Sequence, residues 1–212
     1  HAVKNLTTAE GGAAALHLPA PFDNAQVHRT LKSHILHGQS KDAAAKFNAR
    51  GAGQWQYDVT HPGFKCNMTD IQAAIGRAQL SKYPKQLERR REIVQRYHAG
   101  FASEPWYAAP PLCDEQRESS YHLFQLRIEG FDAGKRDALM GALKEQGIAT
   151  NVHFIPLPLL SVHRNRGESM EAYPNTQRLF EESISLPVHL ELTNSDIDRI
   201  VQEVIQAVNV QR

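Results

Sequence analysis

In the second half of the chain the spacing of apolar residues switches repeatedly between a period of two and a period of 3.6, and few folds accommodate that order. Residues 121–128 alternate, with Phe124, Leu126 and Ile128 on one face, which predicts a strand. A helix over 132–146 follows, stopped by Gly147. Residues 148–154 and 184–186 read as two further strands, bracketing a helix at about 175–182. The chain closes with a helix opened by Thr193, where Asp196 three residues on approximates a capping box. Ile197, Ile200, Val201, Val204 and Val208 recur on its buried face. Strands and helices in this order describe a compact α+β domain.

The first half is less regular. After the diglycine Gly11-Gly12, the apolar run Ala13-Ala14-Ala15-Leu16 reads as a short buried strand, which would put Lys4 on a loop at a strand's edge. Residues 21–35 have a helical pattern, with Val27, Leu31 and Ile35 on one face. Residues 41–60 are polar and irregular, with Trp55 and Tyr57 near their end. Thr69 or Asp70 then caps a helix whose stripe of Ile71, Ala74, Ile75 and Ala78 would ordinarily be core. Pro84 interrupts that helix or starts another, in which Leu87, Val94, Tyr97 and Phe101 keep helical spacing to near Gly100. A proline-rich linker begins at Pro105, so the expected domains are residues 1–102, ending in a long connecting helix, and residues 103–212.

Charge and composition exclude several function classes. With 24 basic against 23 acidic residues the net charge is +1, which gives no electrostatic reason to expect nucleic acid or a membrane surface as partner. Arg89-Arg90-Arg91 alternates with Glu88 and Glu92 and reads as a solvated helix face. No stretch reaches the roughly 18 apolar residues needed to span a bilayer, and no signal peptide is visible. Cys66 and Cys113 match no metal spacing and read as free thiols, which points to a reducing cytoplasm. The 11 histidines lack an HExxH arrangement or a third nearby ligand, so no metal is expected.

One lysine stands apart from the others by what surrounds it. The segment Lys4-Asn5-Leu6-Thr7-Thr8-Ala9-Glu10-Gly11-Gly12 resembles the stretch around the cofactor lysine of the DegT/DnrJ/EryC1/StrS family of pyridoxal-phosphate-dependent sugar aminotransferases. Two further segments are similar to the same family in order. Gly63-Phe64-Lys65-Cys66-Asn67-Met68-Thr69-Asp70-Ile71-Gln72 resembles its interface segment, and Gly147-Ile148-Ala149-Thr150-Asn151-Val152-His153-Phe154-Ile155-Pro156 its "G-I-x-T-x-x-H-[FY]-x-P" turn into the substrate site. With Ser185-Leu186-Pro187 and the final helix, the resemblance covers essentially the whole chain.

The resemblance implies an α/β fold-type I aminotransferase, of which this chain is the C-terminal part of the large α/β domain followed by the small α+β domain. Lys4 would anchor pyridoxal phosphate covalently and move protons, because an amine can capture a carbonyl and then act as an acid-base group. The expected substrates are an amino donor, usually glutamate, and a nucleotide-linked keto sugar. The expected assembly is a cytoplasmic homodimer with shared active sites, serving cell-surface polysaccharide or lipopolysaccharide biosynthesis. The interface segment departs from the commonest pattern, which has Asn at 65 and Arg at 67. It is nearer the "G-Y-K-x-N" of enzymes that aminate the 4-keto sugar used to modify lipid A, so either Lys65 or Asn67 could hold the cofactor phosphate. His153 would contact substrate, and Trp55 and Tyr57 would line the sugar site or merely fasten a loop.

Relatives carry the acidic partner of the cofactor's pyridinium nitrogen in a half that precedes the lysine. This chain, which does not begin with Met, is therefore expected to be inactive alone. Two alternatives remain from the sequence: a dehydratase or aromatic-forming relative on the same fold, in which the dehydratases have His at the lysine position, or a non-catalytic assembly piece.

Overall fold

Phe124, Leu126 and Ile128 lie on one face of the strand β2 (Phe124–Ile128) and are fully buried, so the alternation in sequence becomes one wall of a core. The computed structural model describes residues 1–48, 53 and 55–212. Strand β2 is the centre of a three-stranded antiparallel sheet, flanked by β1 (Tyr107–Ala108) and β3 (Ser183–Leu186). In the β2–β3 register Gln125 faces Ser185 and Leu126 faces Ile184.

Three helices complete this unit's core. Helix α3 (Asp70–Phe101) contributes Ile93, Val94, Tyr97 and Phe101, all fully buried. Helix α4 (Ala133–Glu145) starts at Asp132, whose carboxylate accepts the N–H of Lys135, and contributes Leu139 and Leu143. Helix α7 (Asn194–Gln211) buries the five residues expected from its periodicity. Two shorter helices, α5 (Ser161–Arg164) and α6 (Pro174–Glu182), precede β3. The capping box of α7 is formed: the Thr193 hydroxyl accepts the N–H of Asp196 at 3.1 Å, and the Asp196 carboxylate accepts the N–H of Thr193 at 2.9 Å. Thr193→Ala should cost about 1 kcal/mol in urea unfolding at neutral pH.

The same box sets a pH dependence. Hydrogen bonds from the Thr193 hydroxyl and then its N–H hold the Asp196 carboxyl below the usual carboxylate range. A depressed folded-state pKa stabilises the fold above the unfolded value and loses that contribution as pH falls through the folded one. The gap between Thr193→Ala and the parent should therefore narrow in acid.

The other compact unit is His1–Ser81, and the second is Lys82–Arg212. The apolar residues of the last turns of α3 belong to the second unit's core. In the first unit, α1 (Asn24–His34) begins at Asp23, whose carboxylate accepts the N–H of Ala25 at 2.9 Å. Helix α2 (Ala43–Asn48) lies in the stretch expected to be irregular; residues 49–52 and 54 of that stretch lie outside the described residues.

Three local expectations are corrected. Residues 13–16 form no strand, since an extended segment needs a ladder partner and no described residue pairs with it. Residues 148–154 make a single bridge, Asn151 to Ser185, before Pro156, which has no N–H to give. Pro84 neither breaks nor begins a helix; it lies inside the 32-residue α3, where solvent can meet the carbonyl it leaves unpaired. The stripe at the start of α3 lies outside the core that its apolar spacing would ordinarily join, with Ile71 77% and Ile75 38% exposed.

Candidate active site

Residues 1–10 run as a series of turns and bends, and side chains fasten them. The N–H of Lys4 donates to the carbonyl of His1 at 3.2 Å, the hydroxyl of Thr7 accepts the N–H of Ala9 at 3.1 Å, and the hydroxyl of Thr8 donates to the carbonyl of Glu10 at 3.0 Å. Ala9 is held at φ +69°, a left-handed conformation that costs a residue with a side chain about 1–2 kcal/mol. Such backbone persists where its surroundings over-determine it. The Lys4 side chain is exposed.

The surroundings are the first turns of α3. Thr69 and Gln72 make a reciprocal cap: the Thr69 hydroxyl accepts the N–H of Gln72 at 3.3 Å, and the Gln72 amide oxygen accepts the N–H of Thr69 at 3.0 Å. That leaves the Gln72 amide nitrogen free to donate to the carbonyl of Glu10 at 2.9 Å, tying the lysine loop to the helix start. One turn on, a Cβ added at Gly76 would stand 2.8 Å from the Thr8 methyl. A Cβ at Gly11 would stand 2.4 Å from the Thr8 hydroxyl. Thr8 is thus wedged between loop and helix. Gly76→Val should displace it and raise amide exchange of residues 8–11 several-fold, even though removing a mid-helix glycine usually stabilises. Unchanged exchange would show that the wedge does not hold the loop.

Lys65 and Asn67 come together directly: the Lys65 ammonium donates to the Asn67 amide oxygen. The Asn67 amide N–H groups and the remaining ammonium protons then stay available as donors to an anion. Asn67 lines a hollow of about 640 Å³ together with Glu10, Gly11, Gly12 and Met68, and Leu31 and Ile35 give it an apolar side. Lys4 and Lys65 stand outside the hollow's described lining, and Asn67 is the candidate residue that lines it. An amine on the adjoining loop, an anion donor and a concave half-apolar surface suit a phosphorylated aldehyde cofactor. Among the described residues no group of His, Cys, Asp and Glu is placed to hold a metal ion.

Trp55 and Tyr57 do not join this group. Trp55 is 75% exposed, and the Tyr57 ring carries the Lys46 ammonium 3.8 Å from its centroid, a cation–π contact that fastens the loop.

In the second unit His153 is held at two points by one cross-strand pair. Its carbonyl accepts the amide N–H of Gln125 at 2.8 Å, and its Nδ1 lies 2.8 Å from the hydroxyl of the buried Ser185. Gln125 and Ser185 are directly opposed in the β2–β3 ladder, so the sheet register itself fixes the ring. With Nδ1 engaged, Nε2 is the nitrogen left to meet another group.

Sequence reasoning missed Thr8, Gln72, Gly76, Gln125 and Ser185 as the residues that position these groups. Thr69-x-x-Gln72 was readable as a capping box. The others act across 28 to 68 positions, and no local pattern marks them.

Comparison with known proteins places the chain among sugar aminotransferases by similarity. The model of the "DegT/DnrJ/EryC1/StrS aminotransferase family" matches residues 1–205. The spore coat polysaccharide biosynthesis protein SpsC of Bacillus subtilis is 33% identical over 207 residues, 96% of this chain and 51% of that protein. A solved structure of a Streptococcus pneumoniae protein assigned as a sugar aminotransferase, in its PMP form, superposes with a TM-score of 0.90 at 40% identity, covering 100% of this chain and 52% of that one. PseC of Helicobacter pylori, an aminotransferase of pseudoaminic acid biosynthesis, shares the fold at a TM-score of 0.73 and 22% identity, over 88% of this chain and 47% of its own. The chain thus spans about half the length of the relatives it matches.

Proposed function

Because the chain belongs to the DegT/DnrJ/EryC1/StrS aminotransferase family, we propose that it is the lysine-bearing part of a pyridoxal-phosphate-dependent enzyme that moves an amino group from glutamate to the keto group of a nucleotide-linked sugar. The observation that carries the reading is the lysine loop fastened to the start of α3 beside the Lys65–Asn67 pair. Pyridoxal phosphate, when bound, supplies the electron sink that amino transfer requires. Lys4 would hold the group by its carbonyl carbon, and its amine would serve as the acid-base group of amino transfer. Lys65 and Asn67 serve the phosphate together rather than as alternatives, the first as a point charge and the second as a directed donor. His153 presents Nε2 to the substrate, steadied by Ser185 and Gln125. Lys rather than His at position 4 favours amino transfer over dehydration.

In the complete enzyme residues 1–102 would finish the cofactor domain and residues 103–212 form the small domain. The exposed stripe of Ile71 and Ile75, with Ala73, Ala74 and Gly76 beside it, suits a close helix contact with a second subunit in a cytoplasmic homodimer. The two free, exposed cysteines accord with a reducing compartment. A role in surface polysaccharide or lipopolysaccharide synthesis is supported by the polysaccharide assignment of SpsC.

The test is formation of 2-oxoglutarate when the complete enzyme is given glutamate and a panel of nucleotide-linked 3-keto and 4-keto sugars. Turnover on one class identifies the keto carbon. No turnover on any of them removes the substrate assignment.

A further inference from the structure

Helix α1 separates two hollows of the first unit. Leu31 and Ile35 look into the one beside the lysine loop, while Arg29, Thr30 and Ser33, on the other side of the helix, line a second of about 480 Å³. Residues 39–42 and the pair Thr60 and His61 close its other side. Lys4, Lys65 and Asn67 do not line it, so its reading does not rest on amino transfer.

The second hollow is one-sided in charge. Among its described lining residues Arg29, Lys32 and Lys41 stand against the carboxylate of Asp42 alone. That carboxylate already pairs with Lys32 at 2.7 Å and accepts the N–H of Ala45 at 2.8 Å. Arg29 meets a neutral group, the amide oxygen of Gln26 at 2.8 Å. Lys41 is half-buried, and among the described residues its ammonium has no carboxylate partner. Two cationic groups therefore face the hollow uncompensated.

A third group points the same way. His61 Nε2 is buried and meets no hydrogen-bond partner among the described residues, while Nδ1 is engaged with the Thr60 hydroxyl at 3.1 Å. The ring is closely packed: its centroid lies 4.1 Å from that of the His34 ring, and a Cβ at Gly38 would lie 3.3 Å from its Cδ2. A buried polar nitrogen without a partner is unfavourable, and the residue that carries it lines the hollow.

We propose that this hollow binds a phosphorylated small molecule, with phosphoryl oxygens held by Arg29 and Lys41 against the wall that His61 forms. A guanidinium fork and a mobile ammonium are the usual pair for a multiply charged phosphoryl group. The volume suits a ligand of nucleotide size, beyond a lone ion. The source of the phosphoryl group, nucleotide or inorganic, is separated by the choice of probe.

Calorimetric titration of the full chain with inorganic pyrophosphate and with uridine diphosphate tests it. Saturable binding is expected, weakened roughly tenfold or more in Arg29→Gln and in Lys41→Gln, each with parental circular dichroism, and unchanged in Lys65→Gln. The His61 imidazole resonances should shift on addition of the bound probe. Tighter binding of uridine diphosphate assigns a nucleotide, and equal binding assigns the phosphoryl groups as the whole of what is recognised. Absence of saturable binding by either probe overturns the proposal. So does binding that Lys65→Gln weakens while Arg29→Gln and Lys41→Gln do not.

Discussion

Lys4→Ala is expected to lower amino transfer in the complete enzyme by about 10⁴-fold or more, and to abolish covalent retention of the cofactor. Both losses fall on one residue because the amine that captures the carbonyl is also the group proposed to move the proton, and acid-base assistance alone contributes roughly 10²–10⁴. Lys4→Arg should be nearly as damaging, since it keeps the charge but offers no amine to condense. The direct readout is mass spectrometry after borohydride reduction: the parent gains the cofactor's mass on the peptide containing Lys4, and the variant does not. A reduced adduct of unchanged yield in Lys4→Ala would mean that another amine is the anchor. The loop geometry adds a graded comparison. Gln72→Ala leaves the amine intact but removes the donor to the Glu10 carbonyl, so it should slow turnover far less than Lys4→Ala while loosening the loop.

Local patterns in the sequence carried the second unit well. Thr193 and Asp196 form the box that their spacing suggested, and all five apolar residues assigned to the inner face of α7 are buried. Phe124, Leu126 and Ile128 likewise fall on the inner face of β2. What failed was whatever needed a partner that no local window contains. The run at residues 13–16 has the composition of a strand but no described ladder to join, and Asn151 joins Ser185 across 34 positions for one bridge only. Pro84 misled in the opposite sense: its cost is real, but a long helix with an exposed face can carry one missing hydrogen bond. Among the candidate residues, Lys4, Lys65 and Asn67 in the first unit and His153 in the second were singled out by resemblance. The residues that hold them were not, because Thr8, Gln72 and Ser185 are ordinary polar residues until the fold brings them to a loop, a carbonyl or a ring.

The two ends of α3 should respond oppositely to the same kind of substitution. Phe101 is fully buried, and its ring lies 5.9 Å from Trp106, 6.3 Å from Tyr97 and 6.3 Å from Phe124, so it ties the helix to both the strand β2 and the entry to β1. Phe101→Ala removes a large ring from a site whose neighbours are themselves rigid aromatics and cannot collapse into the space. The expected cost is about 3–5 kcal/mol, read as a fall in the urea midpoint with little change in slope. Because the same core backs the strands that carry Gln125 and Ser185, the His153 resonances should also broaden as the sheet loosens. Ile71→Ala, at the other end of the helix, removes a side chain that is 77% exposed and should leave the unfolding midpoint of the isolated chain nearly unchanged. In the complete enzyme the proposed subunit contact makes a separate demand on that position: Ile71→Asp should weaken dimerisation in sedimentation equilibrium. A dimer unaffected by Ile71→Asp would place the subunit contact elsewhere, while a small effect of Phe101→Ala on stability would mean that the aromatic cluster does not organise the second unit's core.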